Sequence, residues 1–458
     1  MFRFRSRAVW MLGLLAATVL AVSCAGGGGG GGGNDPVNVD PQPITPTSAD
    51  YIVLAWNDLG MHCLNPTYDQ AVILPPYNTV WAQVIKRGDP PQIVTTGITV
   101  QYSIVNNTFS YGKRSYGQFW DNLPALFGVA LAHDTGLNLE DPNIHNGLSG
   151  SMVQKSDHFQ VNGIPLVPVN DSLVWNPFQV ANIVVRDSSN TIIAQTQSMV
   201  PTSDEINCAT CHAQGADGTI HLPGGGGTDV LANVLAVHDA LQGTALAASP
   251  PKLCAGCHGS PALGQMLPGS SGKFLTESVH GFHATKGAAC YDCHPGATTK
   301  CSRSLAHMGT TGDGNCTTCH GDMSQVASSV STGARVPWVS EPKCVTCHAG
   351  VAEVDTGTTL YRNARGHGGV SCPACHQSPH AMIPSREAAD NYQAVQYQTK
   401  PQSIGDCKVC HDNSRGEGFN DFASAHGGTR ATACNVCHTK PPQMVQSQWP
   451  HQFQWKAR

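Results

Sequence analysis

Cys290-Tyr-Asp-Cys293-His294 is one of eight stretches in which two cysteines three positions apart are followed at once by a histidine. On a helical turn, positions i, i+3 and i+4 share one face, so both thiols and the imidazole point to one side. This CxxCH pattern is typical of c-type haem attachment, in which the thiols form thioethers and the histidine ligates the iron. The eight sites are Cys208, Cys211 and His212; Cys254, Cys257 and His258; Cys290, Cys293 and His294; Cys316, Cys319 and His320; Cys344, Cys347 and His348; Cys372, Cys375 and His376; Cys407, Cys410 and His411; and Cys434, Cys437 and His438.

Paired cysteines also build zinc ribbons and disulfide frameworks. The motifs use sixteen of the nineteen cysteines, and neither alternative needs a histidine directly after every second cysteine. The eight histidines therefore favour eight covalently bound haem c groups over zinc or disulfides.

The amino terminus has the pattern of an export signal. Three arginines, Arg3, Arg5 and Arg7, precede an apolar run over residues 8–22, which small residues follow. That run is shorter than the roughly 20 apolar residues of a membrane-spanning helix. We predict a signal peptide over residues 1–23 and no integral helical membrane protein.

Leu20-Ala21-Val22-Ser23-Cys24 resembles a bacterial lipobox, in which Cys24 is the lipidated first residue. Eight glycines and a Pro, Asn, Thr and Ser-rich stretch follow, so residues 24–48 are predicted to form a flexible tether. In the lipoproteins that this resembles, a residue other than Asp after the cysteine accompanies outer-membrane sorting, and Ala25 fits. We predict an exported outer-membrane lipoprotein at the cell surface. The periplasmic face and ordinary secretion are the alternatives.

Residues 49–203 contain one cysteine and read as strands separated by turns. We predict an antiparallel β-sandwich-like domain with an irregular insertion over residues 111–175, which carries one helix near Leu123 to Ala132. The predicted strands are Tyr51 to Trp56, Val80 to Ile85, Ile98 to Val105, and a hairpin of Ala181 to Val185 with Thr191 to Thr196.

Residues 204–458 are rich in small residues, and the clearest helical pattern is Thr228 to Leu241. So little periodicity is normally typical of disorder. Covalent haem resolves this conflict because each macrocycle adds a large apolar surface. The fold class is therefore mixed: a β-rich domain followed by an octahaem cytochrome c domain, in which short helices and long loops pack around stacked haems.

The sixth ligand of each iron separates a carrier from an enzyme, because a catalytic haem keeps that position open. Of 21 histidines, thirteen lie outside the motifs. Methionine ligation would raise the potential, but no methionine recurs beside the motifs. We predict low-potential, mostly bis-histidine haems. The nine candidate sixth ligands are His221, His238, His280, His283, His307, His367, His380, His426 and His451.

Several segments between the motifs resemble multihaem outer-membrane cytochromes of metal-reducing bacteria. They are Cys290-Tyr-Asp-Cys293-His294-Pro-Gly with Thr298-Thr-Lys-Cys301-Ser-Arg, Gly366-His367-Gly-Gly-Val370, and Ser378-Pro-His380-Ala with Asp390-Asn391. The run Asn57-Asp-Leu-Gly-Met-His-Cys63, with Leu74-Pro-Pro-Tyr77, is similar to the β-domain often fused in front of such haem domains. The resemblance implies extracellular electron transfer to metal oxides, other cytochromes or outer-membrane conduits, or electrodes. Some relatives form filaments, and a homopolymer stays open.

Two other functional classes remain. Octahaem oxidoreductases act on small nitrogen or sulfur compounds, and many carry a lysine in place of a motif histidine. No CxxCK occurs in this sequence. A structural or adhesive surface protein is the third class. Wholly low-spin haem favours the carrier, and a haem with an open sixth position favours the enzyme.

Cys63 and Cys301 remain besides Cys24. In an oxidising compartment an isolated pair indicates a disulfide, and two separate buried thiols are the alternative.

Removal of the leader takes the net charge from -5 to -8, because the leader contains Arg3, Arg5 and Arg7. Eight haems would add about sixteen propionates. An acidic protein excludes nucleic acid as a partner and favours positively charged mineral edges, cationic shuttles or basic cytochromes.

Overall fold

The computed structural model describes residues 44, 50–206, 208–212, 230–295, 299, 301–307, 316–346 and 359–412, all within the unit Pro36–Arg458. Most strands belong to two antiparallel sheets in the first part of this unit. The strands are β1 (Tyr51–Trp56), β2 (His62–Cys63), β3 (Ala71–Val72), β4 (Asn78–Lys86), β5 (Gln92–Val94), β6 (Ile98–Ile104), β7 (Ser149–Ser151), β8 (Val153–Gln154), β9 (Phe159–Ile164), β10 (Val180–Asp187), β11 (Ile192–Met199), β12 (Thr202–Ser203) and β13 (Lys252–Leu253).

The first sheet has the order β1-β4-β9-β8, and β5 also pairs with β4. Its register places Tyr51 opposite Lys86 and Trp56 opposite Trp81. The second sheet has the order β11-β10-β6-β7. The predicted hairpin forms β10 and the edge strand β11, in which Val180 lies opposite Met199.

One hydrophobic core joins the two sheets. Val53 and Val84 from the first sheet and Val100, Ile183 and Val185 from the second belong to the same buried cluster. Side chains alternate between the two faces of a strand, so each sheet directs one apolar set into this core. The structure has the mixed composition of sheets and short helices that the sequence predicts. The sandwich description and the stacking of haems stay predictions.

The opposite face of the first sheet is also buried. Leu54, Trp56 and Trp81 form a second cluster with Ala374 and Val409, which lie inside two CxxCH motifs. The β-rich region therefore packs directly against residues of the haem-binding region. This contact fixes the position of two motifs relative to the first sheet.

The helices are short. They are α1 (Gln118–Phe127), α2 (Ala209–His212), α3 (Val230–Gln242), α4 (Leu275–Ala284), α5 (Cys316–His320), α6 (Met323–Ser331), α7 (Cys372–His376) and α8 (Tyr392–Gln398). Short 3₁₀ turns span Leu246–Ala248, Cys254–Gly256, Pro261–Leu263, Cys290–Asp292, Leu305–His307, Cys344–Thr346, Tyr361–Asn363, His367–Gly369, Pro379–Ala381, Ala388–Asn391 and Cys407–Val409. Among the described residues, no helix is both long enough and apolar enough to cross a membrane.

Two local predictions were wrong. The helix expected near Leu123 to Ala132 begins earlier, at Gln118, and ends at Phe127, because Gly128 terminates it in the left-handed conformation at φ 71°. The segment 111–175 is also not wholly irregular, since β9 lies beside β4 and all its residues are buried. Gly163 interrupts the strand pattern there. It has φ 74°, and a side chain at this position would collide with the Leu137 carbonyl.

Candidate haem-binding sites

Six CxxCH motifs lie wholly within the described residues, and each forms a single helical turn. In the motifs of His212, His258, His294 and His411, the backbone N–H of the histidine donates to the carbonyl of the first cysteine at 2.8 to 3.0 Å. This i to i+4 bond brings both thiols and the imidazole to one side of the turn. The local geometry suits attachment of one planar group to each motif.

Five motif histidines face a histidine that lies outside the motifs. Their ring centroids are 6.0 to 6.5 Å apart. The pairs are His212 with His283 at 6.5 Å, His258 with His238 at 6.3 Å, His294 with His280 at 6.0 Å, His320 with His380 at 6.2 Å, and His411 with His367 at 6.2 Å.

This separation fits two imidazoles on opposite sides of one metal ion. A ring nitrogen binds a first-row metal at about 2 Å, so two opposed rings hold their centroids about 6.3 Å apart. All five pairs lie within 0.3 Å of that value. Among the described residues, no group of three or more His, Cys, Asp or Glu side chains gathers around one point. The residues present therefore fit haem iron with two axial histidines.

Hydrogen bonds at Nδ1 orient these rings. In His280, His283 and His380, Nδ1–H donates to a backbone carbonyl at 2.7, 2.8 and 3.1 Å respectively. Because a carbonyl only accepts, Nδ1 carries the proton and Nε2 keeps the lone pair that a metal requires. Other Nδ1 partners are Asn233 Oδ1 for His212, Thr244 Oγ1 for His238, Ser271 and Ser278 Oγ for His258, Ser403 Oγ for His376, and Asp89 Oδ1 for His411.

Burial keeps two motif imidazoles neutral. The pKa of His294 is lowered to about 4, first by burial and then by the nearby His280. The pKa of His320 is also lowered to about 4, first by burial and then by His380. A neutral imidazole is the form that ligates a metal.

Helix α4 supplies partners to two different motifs. His280 and His283 are three residues apart on this helix, yet one faces His294 and the other faces His212. Residues at this spacing lie near each other on the helix surface. The same short helix therefore lies beside two motifs, Cys208 to His212 and Cys290 to His294. Their first cysteines are 82 positions apart in the sequence.

Thiols of different motifs also interact electrostatically. The pKa of Cys293 is raised to about 11, first by burial and then by the charge of Cys208. The pKa of Cys375 is raised to about 12, first by burial and then by Cys410. Tyr291, inside one motif, hydrogen-bonds to Cys316 of the next. The other neighbouring thiols are Cys254 with Cys208, Cys344 with Cys319, and Cys372 with Cys344.

The loop after β1 positions one of the paired histidines. His380 Nδ1 donates to the Leu59 carbonyl, and the neighbouring Gly60 has φ 83°. A Cβ on Gly60 would collide with Ser378 and come within 3.4 Å of His380 Cβ. The same loop is braced by Asn57 Oδ1, which accepts from the Gly60 N–H at 2.7 Å. A β-rich segment thus determines where His380 lies.

Some predicted site residues lie outside the described residues. They are Cys24, His221, Cys347, His348, His426, Cys434, Cys437, His438 and His451. His307 lies in the 3₁₀ turn Leu305–His307. The haem ligands remain predictions as a set. The sequence did not identify their hydrogen-bond partners Asn233, Ser403 and Asp89, which no motif marks.

Cys63 and Cys301 are free thiols in the structure and interact electrostatically. The pKa of Cys63 is raised to about 12, first by burial and then by the charge of Cys301. Cys63 is a residue of β2, which pairs in parallel with β12 and so holds Cys63 in place. Disulfide formation between the two stays a prediction.

Replacing Cys63 with serine is expected to release one free thiol at Cys301, because an oxidised pair loses its partner. The measurement is thiol titration under denaturing conditions, with the wild-type protein as the control that shows none. Two free thiols in the wild-type protein, falling to one in the variant, would contradict the pairing.

Comparison with known families gives one match. The family model described as cytochrome c554 and c-prime matches residues 323–377. The match supports a c-type cytochrome. The matched segment contains the motifs of Cys344 and Cys372 together with His367. Of the ten paired histidines, it includes His367 alone. No curated protein and no solved structure matches the chain.

This family match supports covalently bound haem c and, in general, a haem-based role in electron transfer. The matched segment covers 55 of the 458 residues. The haem number, the type of cytochrome and its location belong to the proposal below.

Proposed function

We propose that this c-type cytochrome carries electrons along eight closely spaced, mostly bis-histidine haems. The observation that carries the proposal is the set of five histidine pairs with ring centroids 6.0 to 6.5 Å apart. Bound haem supplies reversible one-electron chemistry at its iron. At these five sites the paired histidines would hold the iron from both sides, and their Nδ1 hydrogen bonds fix the orientation of the rings. Such a site would leave no position on the iron for a substrate.

The neighbouring thiols support a continuous series of haems. Their electrostatic interactions, with the hydrogen bond between Tyr291 and Cys316, connect the motifs in the order Cys254, Cys208, Cys290, Cys316, Cys344, Cys372 and Cys407. The first two motifs exchange places relative to their order in the chain. The link between the Cys208 and Cys290 motifs is supported independently by α4, which provides a histidine to each. In this order, an electron that enters at one end would pass from the haem of each motif to the haem of the next.

Location and partners extend this proposal. The lipobox-like Cys24, the tether over residues 24–48 and the acidic net charge support an outer-membrane lipoprotein at the cell surface. Its partners would be other cytochromes or outer-membrane electron conduits, extracellular metal oxides or shuttles, the membrane through the lipid, and further copies of the chain in a filament. Proteolysis of intact cells tests the surface location, since only an outward-facing protein is cleaved.

Haem counting and spin state test the proposed chemistry. A pyridine haemochrome assay is expected to give eight haems per chain, and low-temperature EPR is expected to show low-spin ferric signals. A matched control with Cys372 and Cys375 both changed to alanine removes one attachment site and lowers the count by one. A count well below eight in the wild-type protein, or a substantial high-spin signal at neutral pH, contradicts the proposal. The high-spin result would favour an octahaem oxidoreductase.

A further inference from the structure

The turn between β4 and β5 contacts the motif Cys407 to His411 at three points. Arg87 Nη2 donates to the Lys408 carbonyl at 2.7 Å, and the Gly88 N–H donates to the Cys410 carbonyl at 3.3 Å. The third contact joins Asp89 Oδ1 to His411 Nδ1 at 2.6 Å. A turn of the β-rich region therefore holds both the backbone and the imidazole of this motif.

Asp89 differs chemically from the partners of the other paired rings. Within the described part of the chain, the Nδ1 atoms of the other paired rings bond to carbonyls, hydroxyls or an amide oxygen; these rings are His212, His238, His258, His280, His283 and His380. The Asp89 side chain is only 4% exposed. Its second oxygen, Oδ2, is buried and has no hydrogen-bond partner among the described residues. The carboxylate is thus directed at His411.

We propose that Asp89 is a positioning residue that lowers the reduction potential of the haem held by Cys407, Cys410 and His411. A carboxylate that accepts a hydrogen bond from Nδ1–H makes Nε2 of the imidazole a stronger electron-pair donor to the metal. Its negative charge in a buried site also favours the ferric state, which carries one more positive charge than the ferrous state. Reduction adds one electron and forms or breaks no bond. The inference rests on the proposed function, in which His411 and His367 are axial ligands.

The opposite ring supports a six-coordinate site. His367 stacks across from His411 with an interplanar angle of 27° and a centroid distance of 6.2 Å. Asp89 is distant in sequence from both and lies in the turn, three residues after β4 ends at Lys86. The contacts of Arg87 and Gly88 with the motif backbone therefore set the distance between the carboxylate and the ring. Such rigid placement makes the effect on potential specific to one haem.

The test is Asp89→Asn, which keeps the shape and an acceptor oxygen but removes the charge. Potentiometric titration followed by haem absorbance is expected to move one of the eight haems to higher potential. We expect at least a tenfold change in its reduction equilibrium constant, about 59 mV for a one-electron couple. Asp187→Asn is the matched control. It removes the same charge from a turn in which the Asp187 carboxylate accepts the Ser189 and Thr191 N–H groups, and it should leave the curve unchanged.

Ser403→Ala separates charge from simple loss of a hydrogen bond. It removes the neutral partner of His376 Nδ1, which lies at 2.9 Å, and we expect a smaller shift than in Asp89→Asn. Equal shifts in the two variants would overturn the argument from charge.

Haem count and EPR on the same samples distinguish the two proposals. Eight low-spin haems in the wild-type protein, with superimposable titrations of wild type and Asp89→Asn, overturn the role of Asp89 and leave the proposed function standing. A low haem count or high-spin signal in the wild-type protein overturns the proposed function itself. Loss of one low-spin haem in Asp89→Asn would assign Asp89 a purely structural role and also overturn the tuning.

Discussion

Replacing Arg303 with alanine is expected to lower the free energy of unfolding by about 3 to 5 kcal/mol, because it leaves a buried carboxylate without its partner. The Arg303 side chain is fully buried and binds Asp390 through Nε at 2.8 Å and Nη2 at 3.0 Å. Its Nη1 donates to the Gly60 carbonyl at 2.6 Å. Arg303 thus joins the loop after β1 to the segment that follows the paired histidine His380.

Chemical denaturation of the haem-loaded protein, followed by far-UV circular dichroism, measures this loss. Lys155→Ala is the control, since Lys155 and Glu140 are 3.9 Å apart with side chains 39% and 54% exposed, and such pairs contribute about 0 to 1 kcal/mol. Arg303→Lys keeps the charge but loses the two-point contact, so it should fall between them. Similar midpoints for Arg303→Ala and the control would show that the buried pair adds little.

Single replacements of His280 and His283 by alanine are each expected to convert one low-spin haem to high spin, and the double variant should convert two. The two rings face different motif histidines, His294 at 6.0 Å and His212 at 6.5 Å. Removal of either ring leaves one iron without its sixth ligand. Integration of the high-spin ferric EPR signal against the total haem count measures the effect.

His133→Ala is the matched control for these variants. His133 is an exposed histidine stacked on Tyr111 in the β-rich region, and its loss should leave every haem low-spin. If His283→Ala keeps the full low-spin signal, the His212 pairing is wrong and another of the nine candidates serves that iron. If both single variants give the same haem-specific loss, the two histidines do not serve separate sites.

Sequence patterns predicted the strands that are rich in β-branched and aromatic residues and bounded by turn residues. The predicted strand Tyr51–Trp56 is confirmed residue for residue, and the predicted hairpin forms β10 and β11. Strand β9 was missed because Gly163 weakens its pattern, while the close approach of Leu137 that requires the glycine is a tertiary contact. Local periodicity carries no information about such an approach.

The motifs and the set of candidate sixth ligands also came from sequence, because CxxCH spacing is a local signal. The pairing of those ligands did not, since it depends on which segments pack together. His212 faces His283 rather than a nearer histidine, and Asp89 reaches His411 across 322 positions. Contacts of this kind arise from the packing of the first sheet and α4, which no short pattern records.

The histidine pairs also differ in the length of the loop that must close before the two rings meet. His280 and His294 are 14 residues apart, whereas His212 and His283 are 71 apart. Loop-closure entropy makes the longer closure costlier by about 1.4 kcal/mol. During folding, a histidine near in sequence would therefore bind an iron sooner than a distant partner does. A chain in which the wrong imidazole is bound has to release it before it reaches the native pairing. We therefore expect the slow step of maturation to be ligand exchange at the haem of His212.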